Sequence, residues 1–208
     1  RPLPGENEAG DFNIWYVPVD GRASSDPVPL DSVINTPGNE FYPSFTASGD
    51  LYYTATLPGG KGAEDIWVSR FRNGSILSPE NLGDSVNTAN YEYNALVSPD
   101  DSFLIFTTHG RGIGLGSADL WISFRHNDGS WSTPKNMGEK VNTNGFEFCP
   151  SLSPDGETFF FTRREIPLPP DSQWTYPNME YSFSSLLNGQ GNIYSINASL
   201  IQELKDSL

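Results

Sequence analysis

The chain has 208 residues, 36% hydrophobic and 18% charged, a globular composition long enough for one sizeable core. Its net charge of −14 sets it against nucleic-acid phosphates and anionic membrane, so neither is an expected partner. No apolar run approaches the ~20 residues of a membrane-spanning helix, while 20 glycines, 17 prolines and 13% aromatics point to many turns and aromatic-rich strands.

Residues 1–10 read as a loop, and the strand that follows, Asp11 to Val19, ends in an Asp20-Gly21 turn. Pro27-Val-Pro-Leu and Ser32 to Thr36 make a short edge-type segment, because proline cannot donate to a central ladder. From residue 40 onward one pattern recurs. Residues 40–54, 92–107 and 145–162 each carry a glutamate at or near their start (Glu40, Glu92, Glu147), then a short apolar strand, a tight turn and a second apolar strand. Asn13-Ile-Trp, Asp65-Ile-Trp, Asp119-Leu-Trp and Asn192-Ile-Tyr mark a third strand. Pro79-Glu-Asn-Leu-Gly and Pro134-Lys-Asn-Met-Gly mark a fourth, and Asn35-Thr36, Asn87-Thr88 and Asn142-Thr143 close each copy. Glu40 to Glu92 is 52 residues and Glu92 to Glu147 is 55; Trp15 to Trp67 is 52 and Trp67 to Trp121 is 54. Landmarks that share one period define an internal repeat.

Four short strands per repeat predict an all-β fold, a β-propeller of four-stranded antiparallel blades. One such sheet has two apolar faces, and radial stacking buries both. Runs such as Leu104-Ile-Phe and Phe159-Phe-Phe do not alternate, as expected of strands covered on both faces. The predicted organisation is a single domain: a partial blade over 1–37, whole blades over 38–89 and 90–144, and a last blade over 145–208 with a loop inserted at 163–190. Residues 199–208 read as a short amphipathic helix. This amounts to about three and a half blades, short of the roughly four at minimum that a closed ring needs. The expectation is the C-terminal part of a larger propeller, with completion by missing strands or another chain as the alternative.

Ser153-Pro-Asp-Gly, Asp65-Ile-Trp and Asn81-Leu-Gly with Val86-Asn-Thr resemble the WD40-like β-propeller repeats of the TolB type, over essentially the whole chain. Ser48-Gly49-Asp50 is a shortened turn, and Asp101 stands where the turn glycine is usual. The resemblance implies a six-bladed periplasmic or secreted bacterial protein whose last blade is completed by an N-terminal strand. It also implies a scaffold for protein or ligand binding, and it carries over no catalytic residue and no cofactor.

Glu40, Glu92 and Glu147 would approach a propeller channel from one face. Two readings stand: a ring of hard oxygen donors suited to Ca²⁺, or carboxylates that accept N–H bonds at each strand entrance. Asp65 and Asp119 read as bridges between strands. Departures from the repeat are the better functional clues. In 163–190 stand Arg163, Arg164, Trp174, Tyr176, Tyr181 and Phe183, suited to stacking on sugar rings and binding carboxylates, or to capping the blade. His109-Gly-Arg-Gly-Ile-Gly-Leu-Gly looks like a phosphate loop, but a strand follows it rather than a helix, which removes that reading. His109 and Arg111 remain candidates at a rim site, as base and anion clamp. His109 and His126 lack zinc spacing. Cys149, the single cysteine, reads as a small buried hydrophobe, and Asn73 and Asn197 open glycosylation sequons. The expected function is a non-catalytic scaffold for protein or glycan. A carbohydrate lyase or hydrolase at the channel mouth, using His109, Arg111, Arg163, Arg164 and Glu165, is the alternative.

Overall fold

A computed structural model of the chain describes residues 10–19, 26–165, 175–184 and 189–208. Strands predominate among them. The first repeat supplies β1 (Trp15–Tyr16) and β2 (Val28–Pro29). The second supplies β3 (Glu40–Phe45), β4 (Leu51–Ala55), β5 (Asp65–Ser69), the hairpin β6 (Phe71–Arg72) and β7 (Ser75–Ile76), and β8 (Glu80–Asn81). The third supplies β9 (Tyr91–Val97), β10 (Phe103–His109), β11 (Asp119–Phe124) and β12 (Lys135–Asn136). The last supplies β13 (Phe146–Leu152), β14 (Thr158–Arg164), helix α1 (Tyr176–Ser184), β15 (Asn192–Asn197) and helix α2 (Ser199–Asp206). Neighbouring strands pair in the orders β1-β2, β3-β4-β5-β8, β12-β11-β10-β9 and β13-β14-β15. These are open antiparallel sheets, and the fold is all-β.

The chain divides into two compact units: Arg1–Leu104 with Ser123–Pro134, and Ile105–Ile122 with Lys135–Leu208. In the first unit every residue of β4 and β5 is buried. That is why Leu51-Tyr-Tyr-Thr-Ala does not alternate, since both faces of these strands are covered. Ile14, Ile34, Leu51, Tyr53, Ala55 and Trp67 form one core cluster there. In the second unit Phe159, Phe161 and Tyr194 stack in succession, with ring centroids 5.6 and 5.9 Å apart. Helix α2 buries Leu200 and is tied to the chain around β12 by Lys135 to Ser207 and by a 3.0 Å ion pair between Lys140 and Glu203.

Each tight turn needs one residue with positive φ, and three different residues supply it. Gly156 has φ 75°, Gly49 has φ 90°, and Asp101 holds φ 59° where glycine is usual. Aspartate tolerates this region because its short side chain bonds locally, so the two departures in turn sequence leave the turn intact. A second set of positive φ values lies inside the first strands. Tyr42, Asn94 and Cys149 each have φ 53°. They are two residues beyond Glu40, Glu92 and Glu147, and Tyr42 and Cys149 coincide with register shifts between β3 and β4 and between β13 and β14. Cys149 is therefore a half-buried bulge residue rather than the core thiol that its apolar strand suggested.

The segment 163–190 also differs from the single loop expected. Arg163 and Arg164 end β14, and Tyr176–Ser184 is helical. Pro177 sits in the first turn of that helix, where a missing N–H costs nothing. Residues 166–174 lie outside the described residues, Trp174 among them, as do 1–9 and 20–25 with the expected Asp20-Gly21 turn.

Buried amides and carboxylates join the repeats. The Asn87 side chain accepts from Ile66 N–H at 2.8 Å and donates to Ile66 C=O at 2.8 Å and to Asn81 Oδ1 at 2.9 Å. Asn142 does the same to Leu120 and Asn136. Asn35 does so to Ile14, with the Leu30 carbonyl in place of the second asparagine. The next residue, a threonine, donates to the glutamate that opens the following repeat. Thr36 Oγ1 to Glu40 is 2.6 Å, Thr88 Oγ1 to Glu92 2.7 Å, and Thr143 Oγ1 to Glu147 2.6 Å. The backbone N–H groups of these three glutamates donate in turn to the carbonyls of Phe12, Glu64 and Ala118, at 2.8 to 2.9 Å.

Asn87→Ala would strand the Ile66 N–H, remove a bond to Asn81 Oδ1, and leave the Ile66 C=O with only a 3.4 Å bond from Leu82 N–H, in a site only 1% exposed. Its expected cost is about 3 kcal/mol, from one to three per stranded buried group. Urea unfolding checks this, with Asn87→Asp destabilising as well, because its second oxygen would face the Ile66 carbonyl and Asn81 Oδ1 where the amide now donates.

Candidate functional site

The three glutamates are completely buried, and each is bound by the threonine four residues before it. Burial raises the pKa of Glu40 and Glu147, and the bonds from Thr36 and Thr143 only partly offset it. Among the described residues no three His, Cys, Asp or Glu side chains are close enough together to hold a metal ion.

The glycine-rich loop after His109 cradles an anion of the chain's own. Leu115 and Gly116 donate their N–H groups to Asp119 at 2.6 and 3.1 Å, and Asn136 adds a bond of 3.0 Å. Lys61, Gly62 and Asn81 do the same for Asp65. A Cβ on Gly114 would lie 2.5 Å from the Asp119 carboxylate, and one on Gly116 would lie 2.5 Å from the carbonyls of Thr143 and Gly145. The glycines are thus required by close approach of the backbone to Asp119 and to the next repeat.

The remaining predicted residues fall in the second unit. His109 ends β10 and is exposed. Arg111 lies over the rings of Phe106 and Trp121, at 5.6 and 5.9 Å. Arg163 sits opposite Glu147 across β13 and β14, with Nε 3.5 Å from its carboxylate. It donates to the Val141 carbonyl at 2.6 Å and lies 4.7 Å over the Tyr194 ring. Arg163 therefore secures the last repeat from within. Arg164 faces solvent, donates Nε–H to the Gly189 carbonyl at 2.7 Å and lies 6.0 Å from the Phe146 ring. Among the described residues its two terminal nitrogens have no partner. Tyr176 opens α1 and is 77% exposed. Tyr181 lies on the same helix.

One polar network escaped the sequence reading. In the first unit the Arg125 guanidinium bonds both oxygens of Asp101 at 2.7 and 2.6 Å, donates to the Tyr52 hydroxyl at 2.5 Å and lies 3.9 Å over the Trp131 ring. Asp50 is 3% exposed and accepts from Arg70 at 2.9 Å, Arg72 at 2.6 Å and the Phe71 N–H at 2.8 Å. Its partners stand 20 to 22 residues away and those of Arg125 up to 73, so no local spacing betrays them. The only signal was that Arg70, Arg72 and Arg125 do not repeat.

No family model matches the chain, and no curated protein matches it. Among solved structures, one described as TolB from Agrobacterium tumefaciens is similar at 14% identity and a TM-score of 0.45, over 82% of this chain and 53% of that one. The tricorn protease is similar at 13% identity and a TM-score of 0.40, over 83% of this chain and 14% of that one. The chain thus spans about half the length of the first and a small part of the second.

Burial works to raise the pKa of Asp50, but the bonds from Arg72, Phe71 N–H and Arg70 outweigh it and hold the group at about 2, from an ordinary 3.8. A depressed carboxylate contributes stability above its unfolded pKa and loses it as pH falls through the folded one. Asp50→Asn should therefore cost about 2 kcal/mol at pH 7. The gap between variant and wild type should close as pH falls from about 4 to about 2, which urea unfolding across that range would read.

Proposed function

We propose that this chain is part of a β-propeller scaffold of the bacterial envelope or exterior, and that it binds a protein or glycan rather than turning over a substrate. The four-stranded antiparallel sheets, each built from one sequence repeat with short edge strands, support the propeller reading. A binding role is supported by where the carboxylates are spent. Glu40, Glu92, Glu147, Asp65 and Asp119 hold threonines, asparagines and loop amides, and Glu147 also neutralises Arg163.

The observation that carries the site is Arg164. Pinned through Nε and laid beside the Phe146 ring, it offers its terminal nitrogens as a fixed fork suited to a carboxylate. Tyr176 and His109 are also exposed in the same unit, a stacking face and a polar group for a ligand long enough to reach beyond Arg164. An acidic oligosaccharide or an acidic protein loop fits this chemistry.

Calorimetric titration with an oligogalacturonide tests it. Binding by the wild type, weakened about tenfold or more in Arg164→Ala and to a lesser degree in Tyr176→Ala, is the expected result, since a charge-assisted bond contributes about 1.5–3 kcal/mol. Equal affinity in wild type and both variants would remove the site from this part of the molecule.

A further inference from the structure

The first unit holds a cleft of about 810 Å³ whose residues the reading above does not use. Its walls are Tyr16 of β1, Phe45 at the end of β3 and Phe71 of β6, and its floor is Leu30 and Ile76, which pack on the core cluster. The three rings are 48%, 51% and 39% exposed, and among the described residues none pairs with another aromatic ring. Each therefore keeps a face for a ligand. Phe71 is held in place: it lies against the turn at Gly49, where a Cβ would meet its ring at 3.1 Å. Asp31 lines the same cleft and is exposed; its Oδ1 accepts from Val33 N–H and the Ser32 hydroxyl, and Oδ2 has no partner among the described residues. Among the described residues no lysine, arginine or histidine lines it.

We propose that this cleft binds a soluble organic cation, a quaternary or methylated ammonium group carried on a small neutral body. The negative faces of several rings attract such a cation, whose weak hydration makes its transfer from water cheap, and a nearby carboxylate adds charge complementarity. A net charge of −14 raises the local concentration of cations at the surface. A sugar would find few hydrogen-bonding side chains here, and a neutral apolar ligand would desolvate Asp31 without compensation. The volume exceeds that of a trimethylammonium group several-fold, so the group arrives attached to a larger molecule. This site is independent of the Arg164 reading.

The test is titration of the full chain with choline, followed by calorimetry, beside the neutral tert-butyl analogue of choline in which carbon replaces the ammonium nitrogen. The expected result is choline binding with the neutral analogue at least tenfold weaker. Tyr16→Leu and Phe45→Leu keep apolar bulk while removing the π face, and each should weaken choline several-fold with an unchanged thermal unfolding midpoint. Asp31→Asn should weaken it and flatten its salt dependence. Absence of choline binding, equal affinity for the neutral analogue, or unchanged affinity in both leucine variants would overturn the proposal. So would binding to phosphatidylcholine vesicles without binding to choline, which would make the cleft a membrane contact.

Discussion

The structure depends on a buried carboxylate that takes its hydroxyl donor from the end of the preceding repeat. Glu40, Glu92 and Glu147 are removed from water entirely. An uncompensated carboxylate in such a place is ruinous, and each is stabilised by a threonine four residues earlier. The threonine is fixed because the asparagine before it closes over the third strand with three hydrogen bonds. Asparagine, threonine and glutamate thus form one unit, in which removing any member strands the others. Such a set is retained whole or lost whole, which is the physical reason its members recur together at a period of 52 to 55 residues.

The same junction explains the strain in the first strands. Each glutamate is held at two points, its side chain by threonine and its backbone N–H by the carbonyl of Phe12, Glu64 or Ala118. Beyond it the strand must rejoin the ladder, at Ser44 in β3 and at Ser151 in β13. The chain between these anchors is one residue too long for regular pairing, and the surplus is taken up at Tyr42 and Cys149, with Asn94 in the equivalent conformation. Left-handed backbone at a non-glycine residue costs about 1 kcal/mol or more. Tyrosine, asparagine and cysteine share no chemistry, so the conformation is imposed by the anchors rather than chosen by the side chain.

What could be read from the chain was whatever repeats. Glutamate, Asp-Ile-Trp and Asn-Thr at fixed offsets marked strands and their ends, because one structural problem is solved three times with the same residues. The glycines after His109 were visible but their purpose was not. They resembled an anion cradle, and they are one, with Asp119 as the anion. Helix α1 was hidden because Pro177 reads as a breaker until its place in the first turn is known, and because Tyr176–Ser184 shows no 3.6-residue apolar stripe. The Arg125, Asp101 and Tyr52 cluster was out of reach for a different reason. It joins residues up to 73 apart, and only the folded sheets bring them together.

The fate of the basic residues ties the frame to binding. The chain has 12 lysines and arginines against 26 aspartates and glutamates. Arg70, Arg72, Arg125 and Arg163 are each spent on a carboxylate of the chain itself. These four arginines are set on three carboxylates, Asp50, Asp101 and Glu147, so at the surface the excess of −14 is tempered by few remaining cations. On such a surface a cation is drawn to any cleft that offers aromatic faces and a carboxylate, as the one around Tyr16, Phe45, Phe71 and Asp31 does. An anionic ligand is repelled until it is within a Debye length of a local cation, about 8 Å at physiological salt. It can be held only by short contacts with an arginine that is already in place. Arg164, fixed through Gly189 and Phe146, meets that requirement without the cost of ordering a free side chain. The two candidate surfaces therefore differ in kind: long-range attraction serves the first, and only preorganised contact can serve the second.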